Sequence, residues 1–255
     1  MGPGAAADRL GDGRPAIHTV RALLFDVFGT VVDWRSGIAR EAGPVLARHG
    51  GDPARAAEFA DAWRARYQPS MEEIRAGRRA FVPLDTLHRE NLDAILPAFG
   101  LSALPEPERA ALTLAWHRLD PWPDVVPGLA RLKARHIIAP LSNGNIRLMI
   151  DMAKRAGLPW DAILGAEVAR AYKPDPQAYL RTVAVLGLSP GEVCMVAAHE
   201  DDLAAAQACG LATALVPRPE EFGPGRAEAV RRAADWDHVA ADFGALAGAL
   251  ERLEG

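Results

Sequence analysis

Four short stretches carry side chains whose types and spacing could do chemistry: DVFGT (26–30), LSNGN (141–145), YKPDPQAY (172–179) and AAHEDD (197–202). The first ends the apolar start of LLFDVFGTVVDW (23–34) at a lone carboxylate, Asp26. An aspartate of ordinary pKa, about 3.9, is ionised at neutral pH and can attack carbon without a base to activate it. In isolation, an acid after a strand is equally a turn or helix-capping residue. Phe28 stands where a second acid would be of use. Thr30 is spaced to hydrogen-bond the carboxylate, or only the backbone. Ser142 and Asn143 offer hydroxyl and amide groups for a bound anion, although SNGN is also a good turn. His199 has the side chain whose pKa lies nearest neutrality, which opens base or donor chemistry to it. Asp202 sits where a helix dipole favours an acid, so capping competes with a site role.

The elements that must position these residues read as α/β. Apolar runs at 20–25, 136–141, 193–198 and 213–216 are too continuous for strands with one wet face, so both faces should be covered, as in a parallel sheet. Helical patterns such as NIRLMIDMAKRAGL and DDLAAAQACGL lie between them, closed by Gly157 and Gly210. This alternation predicts a doubly wound, Rossmann-like parallel sheet, whose ligands bind beyond the carboxyl ends of the strands. That rule picks out Asp26, Ser142 with Asn143, and 199–202. Between 34 and 121 the pattern is helical and too long for a simple crossover, which predicts an inserted helical cap. LDPWPDVVPGL (119–129) reads as the hinge back. The expected organisation is a disordered tail at 1–17, a core at 18–33 and 122–255, and a cap at 34–121. RPEEFGPGRAEAV (218–230) reads as a loop leading to C-terminal helices.

Composition narrows the function. The 255 residues carry a net charge of -4, with no basic footprint for nucleic acid. Arg75, Arg78 and Arg79 read as a solvated helix face. Two cysteines, Cys194 and Cys209, read as buried structural thiols in a reducing compartment. The amino terminus has no apolar signal core and no stretch is long enough to span a membrane, so the expectation is a soluble cytoplasmic protein. The tryptophans Trp63 and Trp116 could form a homodimer face or equally the cap's own core.

In this order, on these strand ends, the four motifs resemble the haloacid dehalogenase superfamily, over essentially the whole chain from Val20 to the last strand. Its phosphatases use Mg²⁺, an ion that wants oxygen ligands. The second acid of their first motif aligns with Phe28, and an acid of their last motif with Ala198. Two missing carboxylates make a magnesium site improbable, and FDVFGTVVDW resembles the 2-haloacid dehalogenase branch, which needs no metal or other cofactor. The resemblance implies that Asp26 displaces halide with inversion and that water hydrolyses the resulting aspartyl ester. It implies that Lys173 lies beside Asp26, that Asp202 orients Lys173 and the water, and that Thr30 fixes the nucleophile. Ser142, Asn143 and Tyr179 would hold the substrate carboxylate or face the halide, with Val27 and Phe28 beside the nucleophile. Arg64 would face the leaving halide, with Arg66 as a close competitor.

The better-known dehalogenases tend to carry SSN where this chain has Ala197, Ala198 and His199, and Tyr in place of Phe28. His199 could take over part of the lost function, as base or donor. The reading is a metal-independent hydrolase of short 2-haloalkanoic acids, with an (S) preference implied by resemblance alone. Fluoroacetate would be a substrate if Arg64, Asn143 and His199 made a tight fluoride pocket. The competitors are a Mg²⁺-dependent phosphatase, a hydrolase opening a strained ring that bears a carboxylate, and a non-catalytic binding protein.

Overall fold

The computed structural model describes residues 20–226 and 235–254. The tail expected at 1–17, and part of the segment leading to the C-terminal helices, lie outside the described residues. The chain begins with β1 (Ala22–Phe25) and β2 (Val32–Asp33). It continues through α1 (Trp34–Arg48), α2 (Ala56–Ala65), α3 (Tyr67–Arg75), α4 (Leu84–Ile95) and α5 (Glu106–Thr113). It returns through β3 (Asp120–Pro121), α6 (Val125–Lys133), β4 (Ile137–Ser142), α7 (Ile146–Ala156) and β5 (Leu164–Gly165). The remainder is α8 (Ala166–Ala169), α9 (Pro176–Val185), β6 (Val193–Ala197), α10 (Glu200–Ala208), β7 (Ala212–Leu215), β8 (His238–Val239) and α11 (Phe243–Glu254).

Among the described residues the sheet has six strands in the order β5-β4-β1-β6-β7-β8, and every pair is parallel. Its central strands are buried on both faces, which is why their sequences are apolar without alternation. Leu23, Phe25, Cys194 and Val196 face one core layer, shared with α6, α7 and α11, while Leu24, Ala139, Met195 and Ala197 face the other, shared with α9 and α10. The chain leaves β1 for β4 on one side and later returns to β6 on the other. The carboxyl end of β1 is therefore the switch point where a crevice must open.

Helix ends follow local chemistry. Gly157 closes α7 in the left-handed conformation, and Gly210, also at positive φ, follows α10. Three small features have no counterpart in the sequence reading. β5 and β8 are two residues each, and β2 pairs antiparallel with β3, so the chain's exit from the sheet and its return lie side by side. Two residues carry no measurable period.

Trp63 and Trp116 are fully buried, which settles between their two readings: they are core, not a dimer face. The first core layer runs unbroken from β1 through these tryptophans. Cys194 is buried as expected, whereas Cys209 is only half-buried. Arg75 also departs from the solvated helix face, because its Nη1 donates to the Lys173 carbonyl at 3.0 Å.

Candidate active site

Asp26 follows β1 directly, its N–H donating to the Val196 carbonyl at 3.0 Å, and the residue is 7% exposed. Three groups meet its carboxylate. Lys173 Nζ lies 2.9 Å from Oδ1. The Thr30 hydroxyl donates to Oδ2 at 2.7 Å, and His199 Nδ1 lies 3.1 Å from the same oxygen. Thr30 is itself fixed by the Ala198 N–H, which donates to its Oγ1 at 2.9 Å. Burial alone would raise the Asp26 carboxyl, but the charge of Lys173 with the hydrogen bond and charge of His199 hold it well below the usual carboxylate range.

Lys173 is buried and bonds both Asp26 and Asp202, which rules out the surface-lysine alternative. Burial opposes its charge, yet the two carboxylates outweigh that and push its pKa above the ordinary lysine value. Asp202 lies in the first turn of α10 without capping it, because one oxygen takes Lys173 and the other accepts from the Tyr179 hydroxyl at 2.6 Å. Burial raises the Asp202 carboxyl despite Lys173, and the charge of Asp26 adds to the rise. The two acids are thus driven apart: Asp26 is the stable anion and Asp202 the more basic carboxylate.

His199 bridges two acids. Its Nε2 lies 2.9 Å from Glu221 Oε2, opposite the Asp26 contact. Burial would lower its pKa, but the hydrogen bonds and charges of both carboxylates push it up to about 10. With a carboxylate oxygen facing each ring nitrogen, the ring is placed to donate from both N–H groups as an imidazolium, a form without the lone pair that the expected general-base role needs. Both ring nitrogens face carboxylates, so His199 has no N–H left over for a fluoride, although Arg64, Asn143 and His199 line the same cavity.

Glu221 is a residue that sequence reasoning missed. It is 3% exposed and also accepts from Trp34 Nε1 at 2.9 Å. Gly29, at φ +94°, makes room for it, because a Cβ there would lie 2.2 Å from Glu221 Oε1. Nothing in a Pro- and Gly-rich loop marks one glutamate over its neighbour.

A cavity of about 160 Å³ opens above Asp26. Phe28, Arg64, Tyr67, Asn143, Lys173, Tyr179, His199 and Asp202 line it. The inserted helices close the far side. The Arg64 guanidinium lies 4.1 Å from the Tyr67 ring centre and 5.3 Å from that of Trp34, and its buried Nη1 makes no hydrogen bond. Arg66 is exposed and does not line the cavity, whereas Arg64 does. Tyr67 was also missed, although its place one helical turn after Arg64 was a usable signal. Phe28 packs edge-on against Tyr67, His88 and Trp116.

Three expected contacts are placed otherwise. Ser142 is fully buried and does not line the cavity; its Oγ accepts from the Gly144 N–H at 3.0 Å and shapes the turn. Val27 packs in the core, and its carbonyl accepts from Val31 and Val32. Asn143 does line the cavity, its Oδ1 accepting from the Lys173 N–H at 2.8 Å. Tyr179 reaches Asp202 rather than a free anion position.

A family model for haloacid dehalogenase-like hydrolases matches residues 20–210. The chain is 34% identical over 212 residues to (S)-2-haloacid dehalogenase 1 of Pseudomonas sp. (strain CBS-3), covering 80% of this chain and 88% of that protein. Among solved structures it is similar to the defluorinating L-2-haloacid dehalogenase Rha0230, at 53% identity and a TM-score of 0.87, covering 96% of this chain and 100% of the other. It is also similar to the L-2-haloacid dehalogenase from Xanthobacter autotrophicus with chloropropionic acid covalently bound. That match has 26% identity and a TM-score of 0.75, over 91% of this chain and 98% of the other.

Proposed function

The chain belongs to the haloacid dehalogenase-like hydrolases, and on that footing we propose that it hydrolyses short 2-haloalkanoic acids to 2-hydroxy acids through an ester on Asp26. The observation that carries this is the pairing of a buried, ionised Asp26 with two organic cations, Lys173 and His199, at the floor of a small cavity. Compensation by ammonium and imidazolium leaves the carboxylate anionic while relieving the repulsion a carboxylate substrate would meet. The side chains of Phe28 and Ala198 carry no oxygen ligand, and no group of three or more His, Cys, Asp or Glu among the described residues is arranged to hold a metal ion. The reaction in this reading is metal-independent.

Asp26 attacks the carbon that bears the halogen and forms an ester as halide departs. Arg64, whose Nη1 has no protein partner, is the charge available to the leaving anion. Water then attacks the ester carbonyl, with Asp202 as the base that burial has made more basic. Tyr179 and Lys173 hold Asp202 in place. The helices within 34–121 act as a cap that supplies Arg64 and Tyr67. No helix among the described residues is long and apolar enough to cross a membrane, and two free thiols suit a reducing, cytoplasmic location.

The test is halide release from each enantiomer of 2-chloropropionate with and without EDTA. One enantiomer, the (S) form by its similarity to the named relatives, should be turned over at a rate EDTA leaves unchanged. Turnover abolished by EDTA would sink the metal-free reading. Fluoroacetate belongs in the panel because of the 53% identity to a defluorinating enzyme. Fluoride release no greater than that of an Asp26→Asn control would remove fluoride from the substrate range.

A further inference from the structure

The second half of the reaction needs a group to receive the charge that builds on the ester carbonyl, and the lone pairs of Asp26 show where it lies. Each carboxylate oxygen has two lone-pair sites. Oδ2 has both engaged, by the Thr30 hydroxyl and His199 Nδ1. Oδ1 is bonded by Lys173 Nζ and keeps a site for carbon. Oδ1 is then the attacking atom, and Oδ2 becomes the ester's carbonyl oxygen with two donors already aimed at it.

We infer that Thr30 and His199 form the oxyanion-stabilising pair for ester hydrolysis and that Glu221 is the positioning residue that holds the imidazole to that task. The inference rests on the ester chemistry proposed above. One loop serves both donors. Arg218 donates from Nε to the Thr30 carbonyl at 2.9 Å and is clamped on both arms by Asp124. Three residues on, Glu221 grips His199 Nε2 and is steadied by Trp34 Nε1. The notch at Gly29 lets that carboxylate reach the ring.

The step balances. A water oxygen bonds to Asp26 Cγ, one water proton passes to Asp202, and the carbonyl electron pair moves onto Oδ2, where Thr30 and His199 hold it. The pair returns, the Cγ–Oδ1 bond breaks, and the product alkoxide takes the proton from Asp202. Asp26 then loses its proton to solvent and is restored with one water-derived oxygen.

The experiment is rapid-quench single turnover with 2-chloropropionate on wild type and Glu221→Gln, following halide and the intact mass of the protein. Glutamine keeps the size and removes the charge. Ester formation should stay within about threefold of wild type while ester hydrolysis slows roughly 10–100-fold, below the 10²–10³ typical of deleting an oxyanion donor outright. The adduct should accumulate, and KM should fall together with kcat. The alkaline limb of hydrolysis should also move to lower pH. The ring faces Asp26 and Glu221 directly, with Lys173, Asp201, Asp202 and Arg64 around the same cavity. Equal slowing of both steps, or wild-type hydrolysis with an unmoved alkaline limb, would overturn the role of Glu221. Should E221Q fail to fold, His199→Asn tests the donor itself and must slow hydrolysis more than esterification. A wild type that forms no adduct removes the Asp26 reading and this inference with it, whereas a wild-type adduct with normal E221Q turnover removes only the inference.

Discussion

Asp26, Lys173 and Asp202 form a buried chain in which one ammonium serves two carboxylates. Removing the cation should therefore cost stability as well as rate. Lys173→Met should be inactive and destabilised by about 3–5 kcal/mol, because it strands buried charge. Adding Asp26→Asn should restore part of that in denaturant unfolding; strictly additive losses would contradict the coupling. Two histidines set opposite limbs of the pH profile. The His199 pKa is raised to about 10, so its stabilisation is complete below the ordinary value near 6.5 and lost as pH climbs toward 10. His88 is fully buried, neither ring nitrogen makes a hydrogen bond, and burial lowers its pKa to about 3. Its contribution is present above 6.5 and lost as pH falls toward 3. His88→Phe should flatten denaturant midpoints between pH 6.5 and 4, and an unchanged acid slope would show that another group is responsible. Asp26, Thr30, Lys173 and Asp202 were legible because each stands near a strand or helix end in a recognisable motif. Glu221 was not, since an irregular loop offers no period or motif to place its side chain.

At the scale of elements, strands and helices were readable wherever burial on both faces or a 3.6-residue period ran long enough. The two-residue strands were not, and one of them shapes the site. Gly165 ends β5 at φ 125° and ψ -148°, and a Cβ there would lie 2.2 Å from the Ser142 carbonyl oxygen. That backbone region is essentially reserved for glycine. Gly165→Ala should lower stability by about 1–3 kcal/mol and disturb the turn that presents Asn143. Unchanged stability would show that β5 adapts freely. The core is also tied to the insertion, as Asn145 Nδ2 in the turn after β4 donates to Asp85 Oδ2 at 2.9 Å and the Tyr172 hydroxyl, before α9, donates to the Val82 carbonyl at 2.7 Å.

For the whole molecule, these ties and the continuous core layer make the inserted helices and the sheet one packed body rather than a loose lid. Unfolding should be a single cooperative transition, with tryptophan fluorescence, weighted to Trp34, Trp63 and Trp116, coinciding with far-ultraviolet circular dichroism. Separated midpoints would show that the insertion melts alone. The covalent role of Asp26 is tested most directly by one turnover of excess enzyme on 2-chloropropionate in ¹⁸O-water, followed by mass spectrometry of the peptide containing Asp26. Heavy oxygen should appear in the Asp26 carboxylate, with the first-formed lactate carrying ordinary oxygen. Labelled lactate from an unlabelled Asp26 would mean that water attacks the substrate directly and that no ester forms.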